Sequence, residues 1–276
     1  MQDVTMAENL LVEKRNQVAI VILNRPELRN AFDDALIASL TRAFEDIEAD
    51  DAVRAMVLMG NGSAFCAGAD LNWMKRMAGY SREQNFADAM ALARMLAALD
   101  RMSKPTIARV HGPCYAGGMG LVCACDVALG SHEAEFSLTE VKLGLSPATI
   151  SPYVVRAMGA RMARRYFLTG EKIDAGEAFR LRLLAAVTPL EELDDAINAL
   201  LGQLVLGGRA AQANSKELIR RVSGAALDDA LIAETAERIA EIRVSPEGKE
   251  GIAAFLEKRK PSWVAQAKFS RKKKKK

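Results

Sequence analysis

TIARVHGPCYAGGMGLVCACD, residues 106–126, reads in succession as a strand, a glycine-rich turn and a buried helix. Thr106 to Val110 is a short apolar run set off by Lys104-Pro105, which ends whatever helix precedes it. Four glycines fall between Gly112 and Gly120, and the apolar LVCAC that follows lacks a polar face, as a helix enclosed by other elements would. Another strand is expected near Val127 to Gly130. Strand, turn, buried helix and strand in that order are the unit of a parallel sheet with crossover helices.

The same order extends towards the N-terminus. Val18 to Leu23, VAIVIL, is a buried strand closed by Asn24-Arg25-Pro26. Asp34 to Glu48 places Leu36, Leu40, Phe44 and Ile47 on one helical stripe, with Asp33 or Asp34 available as cap. A strand over Arg54 to Met59 stops at Gly60-Asn61-Gly62, and an amphipathic helix over Ser81 to Met102 carries Leu92, Met95, Leu96, Leu99 and Met102 at helical spacing. Its methionines read as core filler. Strand signals end near Val205; Ala225 to Ile242 and Pro246 to Lys258 are helical in pattern, and Gly202, Gly207 and Gly208 flank the change. The expectation is an α/β body over 1–205, a helical region over 206–266 and a basic tail over 267–276, with no internal repeat.

Composition narrows the classes. Half the residues are hydrophobic and 26% are charged, which excludes a disordered or collagen-like chain. No segment reaches the roughly 18 to 20 uninterrupted apolar residues of a membrane helix, and MQDVTMAENLLVEK does not read as a signal or transit peptide, so a cytoplasmic location is the default expectation. Cys66, Cys114, Cys123 and Cys125 lack the paired C-x-x-C spacing of zinc sites and read as small buried residues. His111 and His132 are too few for a multi-histidine metal centre. Arg271 and Lys272 to Lys276 hold six of the positive charges, and setting them aside turns a net +3 into −3. Such a run is ordinarily a solvated tail that attracts phosphate only non-specifically. With 5% aromatics and no stacking motif, a nucleic-acid partner is not expected.

Two stretches follow a strand and open a helix: FCAGADLNWM, Phe65 to Met74, and HGPCYAGGMG, His111 to Gly120. At such a junction the first backbone N–H groups lack intrahelical acceptors and the helix dipole favours an anion. Two junctions converging on one oxygen would make an oxyanion hole. On spacing alone, the glycines serve tight turns or close packing equally well. Neither stretch is a Walker loop or a dinucleotide fingerprint.

AGAD at Ala67 to Asp70, AGG at Ala116 to Gly118, ACD at Ala124 to Asp126 and EVKLGLSP at Glu140 to Pro147 together resemble the crotonase, or enoyl-CoA hydratase/isomerase, superfamily. NRPELRNAF near the start and FLEKRKPSW near the end fit it too, so the resemblance covers roughly residues 10 to 263. It implies an α/β spiral of βαβ units with a C-terminal helical trimerisation region, as a homotrimer or homohexamer. It implies an acyl-CoA thioester whose oxygen is held by the N–H groups of Ala69 and Gly117, the first residues of the two expected helices. Coenzyme A, part of the substrate and not a resident cofactor, would lie near Leu28, Asn30, Ala31, Ala67 and Asp70, with Lys258 and Phe255 reaching its phosphates.

The superfamily's hydratases usually present two glutamates. One position is Glu140; at the other this chain has Gly120. A lone glutamate suits isomerases, where one base moves a proton between carbons, yet an oriented glutamate also activates water. By itself Glu140 could equally be a structural carboxylate. FSLTEVKLGLSPATISPYVVRAMGARMARRYFLTGE and the flanking motifs resemble the bacterial 3-methylglutaconyl-CoA hydratases of leucine breakdown, which also carry glycine there. That substrate's distal carboxylate would want a cation; Lys75 and Arg76 are near in sequence, although both fit ordinary surface charges. Trp73 and Met74 could shape an acyl pocket or simply pack in the core.

Overall fold

The apolar runs VAIVIL and TIARV lie on either side of AMVLMG, the central strand of a seven-stranded sheet. The computed structural model describes residues 4–265, so the basic run at 271–276 lies outside the described residues. β1 (Val4–Ala7), β2 (Leu10–Arg15) and β3 (Val18–Leu23) form an antiparallel meander. From β3 the sheet continues in parallel through β4 (Ala55–Gly60), β5 (Thr106–Val110), β7 (Val127–Ser131) and β10 (Ala186–Thr188). Register places Val21 opposite Leu58, Leu58 opposite Ala108 and Ala108 opposite Ala128, a buried row across the parallel strands. Strands covered on both faces read as continuous apolar runs, and this is why β3 and β5 were recognisable. The three-residue β10 and the half-polar β2 lack that signal.

The crossover helices follow amphipathic stripes. α1 (Asp34–Ala49) buries Leu36, Ile37, Leu40, Phe44 and Ile47, and the Asp33 carboxylate caps it by accepting from Leu36 N at 2.7 Å. α2 (Leu71–Met77) is short; α3 (Arg82–Arg101) starts at a Ser81/Gln84 capping box and buries Met95, Leu96 and Leu99. α4 (Gly117–Ala124) is enclosed, as its sequence requires. α5 (Ser151–Thr169), α6 (Ala175–Arg180) and α7 (Leu193–Leu204) complete the series.

A second sheet is built from three-residue strands that no period-2 pattern announces: β6 (Pro113–Tyr115), β8 (Glu135–Ser137) and β9 (Lys172–Asp174). β6 pairs in parallel with β8, and β8 antiparallel with β9. The stretch from His111 to Gly120, read as a plain strand-to-helix turn, therefore contains a strand.

The chain divides into two compact units, with the boundary between Asn198 and Ala199, ahead of the expected 205, and with Ser103–Pro105 grouped with the second unit. The glycines Gly207 and Gly208 mark the connection after α7; composition locates that loop, whereas contacts divide α7 itself. The second unit holds α8 (Arg209–Val222), α9 (Asp229–Val244), α10 (Pro246–Leu256) and α11 (Ser262–Ala265). α9 starts later than Ala225 because Asp228 caps it, accepting from Leu231 N at 2.9 Å. The Glu247 carboxylate accepts from Ala210 and Ala211 N–H at 3.1 and 2.8 Å, satisfying the start of α8. No helix among the described residues is long and apolar enough to cross a membrane.

Leu40 is fully buried on α1. Leu40→Ala is expected to cost about 2–5 kcal/mol through lost burial and the cavity left behind, read as a lower urea midpoint with an unchanged denaturant slope.

Candidate functional site

Three segments run parallel and in register: Cys66 pairs with Cys114, and Cys114 with Phe136. All three side chains are fully buried. Tyr115 N donates to Cys66 O at 2.8 Å and Cys66 N to Pro113 O at 3.2 Å, adding the first segment to the edge of the small sheet. Three residues beyond this row stand Ala69 and Gly117, and four beyond it stands Glu140.

The first segment turns at Gly68, whose φ of +96° a side chain would strain. Phe32 N donates to Gly68 O and Asp70 N to Phe32 O, both at 2.7 Å. This bridge uses the groups on either side of Ala69 and leaves the Ala69 N–H with no acceptor among the described residues. Asp70 is the N-cap of α2, so Ala69 precedes the cap and is not the first residue of the helix, contrary to the sequence expectation. The Asp70 carboxylate accepts from Asn72 N at 2.7 Å, Trp73 N at 3.2 Å and Arg25 Nη2 at 3.1 Å. Burial opposes its ionisation, but these N–H groups and the Arg25 charge outweigh it and hold the carboxyl below its ordinary pKa.

The second segment turns at Ala116, which precedes the first residue of α4, here Gly117 as expected. Ala116 has φ 47° and ψ −118°, a conformation that costs a non-glycine residue about 1–3 kcal/mol and recurs at functional sites. It is held there by Ala116 N donating to Ser137 O at 2.9 Å and by Met119 N donating to Ala116 O at 2.9 Å. The Gly117 N–H, at the open end of α4, also has no acceptor among the described residues. The two turns touch. A Cβ built on Gly68 would lie 3.3 Å from Ala116 Cβ, one on Gly118 2.7 Å from Cys66 Cβ, and one on Gly117 2.9 Å from the Phe32 ring. Ala69 and Gly117 keep partial exposure while Gly68, Asp70 and Gly118 are buried, so the two free donors are the parts of the turns open to a ligand.

Glu140 lies in a 3-10 turn, Thr139–Leu143, ended by left-handed Gly144. Its Oε2 is buried without a hydrogen-bond partner, and among the described residues it forms no ion pair. Burial pushes its pKa up. The hydrogen bond from its own backbone N–H pulls the other way but does not outweigh burial, and a desolvated carboxylate with one oxygen unpartnered is poised to exchange a proton. The reason for its solitude is visible at Gly120. A Cβ there would meet Ile150 Cγ2 at 2.5 Å and Ile150 Cβ at 3.0 Å, so a buried isoleucine occupies the room a second acid would need.

The other expected contacts divide. Leu28 is exposed and Ala67 half-buried, whereas Ala31 and Asp70 are buried. Asn30 is wholly enclosed, and its side chain accepts from Arg25 N at 2.9 Å and donates to Asn61 O and Ala64 O at 2.8 and 2.9 Å. It shapes the loop. Phe255 and Lys258 are exposed in the second unit, outside the group these segments assemble. Trp73 is buried and donates to Asp88 at 3.1 Å, Arg76 is paired with Asp34 at 2.6 Å, and Lys75 is exposed. Sequence reasoning missed Phe32, Arg25 and Ile150. Arg25 joins Asp70, Asp33 and Ala31 O across the turn. Only the position of Arg25 and Phe32 inside NRPELRNAF hinted at a role.

The enoyl-CoA hydratase/isomerase family model matches residues 13–266. A crotonyl-CoA hydratase of Syntrophomonas wolfei is 30% identical over 94% of this chain and 99% of its own length. A short-chain-enoyl-CoA hydratase of Clostridium acetobutylicum is 31% identical over 91% of this chain and 96% of its own. The crystal structure of an enoyl-CoA hydratase from Shewanella pealeana superposes with a TM-score of 0.90 at 42% identity, covering 92% of this chain and 96% of that one.

Gly120→Glu is expected not to add a working acid. It should displace Ile150 and cost about 1–3 kcal/mol from overpacking alone, with more from a buried charge. A urea midpoint equal to that of the unsubstituted protein would show that Ile150 does not fill this space.

Proposed function

The chain belongs to the enoyl-CoA hydratase/isomerase family, and from that premise we propose that it adds water to an α,β-unsaturated acyl-CoA through the Ala69 and Gly117 N–H groups and Glu140. The observation that carries the reading is the pairing of two acceptor-free amides with one carboxylate whose Oε2 is buried and unpartnered, on adjoining in-register segments. Unpaired polar groups in an enclosed place are costly, and native proteins keep them where a ligand completes them.

The Ala69 and Gly117 amides polarise the thioester carbonyl. Glu140 takes a proton from water as its oxygen bonds to the β-carbon, and the electron pair of the double bond moves through the α-carbon to the thioester oxygen. Each donor in a comparable hole is worth roughly 3–4 kcal/mol to the transition state. The enolate then collapses and the α-carbon takes up a proton. With Ile150 over Gly120 no second acid stands there, so the proton comes from Glu140, which removed one from water, or from solvent. The product is a 3-hydroxyacyl-CoA.

Within this class the acyl group we favour is 3-methylglutaconyl, the resemblance described above being its support, which would place the enzyme in leucine degradation. Exposed Leu28 and half-buried Ala67 are the accessible candidates for coenzyme A, with Lys258 and Phe255 acting on its phosphates in a homotrimer or homohexamer. The solitary carboxylate also suits double-bond migration, and the two are separated by supplying 2-enoyl and 3-enoyl thioesters in turn. Loss of the 2-enoyl absorbance with formation of a 3-hydroxyacyl product supports hydration. Conversion of the 3-enoyl thioester alone would make the enzyme an isomerase.

Glu140→Gln is expected to lower kcat by roughly 10²–10⁴-fold. Because burial raises the Glu140 pKa and the base must be ionised, kcat/KM should fall on the acid side with a midpoint above the ordinary carboxylate range. The stability effect has the opposite sign. A raised folded pKa favours the protonated fold, so the advantage is present at low pH and lost as pH rises through that value. Glu140→Gln should therefore be at least as stable as the unsubstituted protein at pH 8, with the difference vanishing towards pH 4. Undiminished turnover in the variant would remove Glu140 from its role.

A further inference from the structure

We propose that Ala116 is a positioning residue of the oxyanion hole, its methyl group being the spacer that sets the separation of the two turns carrying the Ala69 and Gly117 N–H groups. The inference rests on the reading of those amides given above. Ala116 holds φ 47° and ψ −118°, a conformation that glycine adopts freely and alanine adopts at a cost. Glycine stands at 117, 118 and 120, yet position 116 keeps a Cβ. That Cβ faces Gly68, where an added methyl would lie 3.3 Å from it. Gly68 immediately precedes Ala69 and Ala116 immediately precedes Gly117, so the contact lies one residue before both donors.

The remaining ties explain why the contact matters. Tyr115 N to Cys66 O, at 2.8 Å, joins the two segments earlier, at the level of the paired strands. Ala116 N is committed to Ser137 O, and Ala116 O accepts from Met119 and Gly120 N–H, all away from the first turn. The first turn is fastened on its other side, through Phe32. At the height of the donors the two turns meet where the Ala116 methyl faces Gly68, beside the second contact that Gly117 makes against the Phe32 ring. Two amides serve one oxygen only when each can approach it to about 2.7–3.1 Å, and a displacement of about 1 Å can cost a hundredfold in rate.

The test compares Ala116→Gly with Ala116→Ser, which keeps the Cβ. Ala116→Gly relieves backbone strain, so its Tm should be unchanged or higher, while kcat for a 2-enoyl-CoA falls roughly 10- to 100-fold with KM within about threefold. Ala116→Ser should keep kcat within about threefold of the unsubstituted enzyme. Acetoacetyl-CoA, whose thioester ionises to an enolate, gives a second readout. Its enolate band on binding should weaken in Ala116→Gly and persist in Ala116→Ser. Full kcat in Ala116→Gly overturns the spacer role, as does a serine variant as impaired as the glycine one. A Tm loss accompanying equal damage to kcat and KM overturns it too, since general loosening then accounts for the result. An unsubstituted enzyme that neither hydrates a 2-enoyl-CoA nor stabilises the acetoacetyl-CoA enolate sinks the functional reading itself; an active one with an indifferent Ala116→Gly sinks the spacer alone.

Discussion

The in-register row Cys66, Cys114 and Phe136 is the constraint on which the rest of the site depends. Parallel pairing fixes how far each segment has advanced when it leaves the row, so the two turns and the 3-10 turn emerge at matching heights. A slip of one residue in a strand would reverse which side chains face inward. Here it would also move one amide out of step with the other. The three row residues are fully enclosed, and their packing resists such a slip. Small residues at Gly117 and Gly118 then let the segments close on one another, against the Phe32 ring and Cys66 respectively.

This assembly stores unfavourable features in one place. Two backbone donors lack acceptors, one carboxylate oxygen is buried without a partner, and Ala116 is strained. Each lowers stability by an amount on the order of 1–3 kcal/mol. The surroundings offset them with well-satisfied groups. Asn30 uses both ends of its amide on the loop, and Asp70 gathers two N–H groups and the Arg25 guanidinium. Rigid, satisfied neighbours let unsatisfied groups persist at fixed positions, which is what preorganisation requires. The second unit shows the ordinary alternative: a cleft there includes Gly208, Asn214, Ile242, Gly251 and Trp263, and its acid, Glu247, is already spent on the start of α8.

The Gly120 and Ile150 pair shows how one substitution is locked in by another. Without a side chain at 120, Ile150 can pack down against α4, and once there it excludes any larger residue at 120.

The sequence by itself determined the parallel core and the principal helices. VAIVIL is apolar on both faces and TIARV is largely so, Arg109 pairing with Asp194, and the stripes of α1 and α3 repeat at helical spacing with capping residues in place, so local pattern and global burial agree. It also marked Ala69, Gly117 and Glu140, although through resemblance more than through physics. Only the tertiary structure decided the rest. β6, β8 and β9 have three residues each and no periodicity, so their pairing exists only once non-local partners arrive. The cap at Asp70, which puts Ala69 outside the helix, depends on Arg25 from forty-five residues away. That Gly120 is closed by Ile150, and that Glu140 Oε2 is buried without a partner, are facts of packing between segments distant along the chain, and no local pattern carries them.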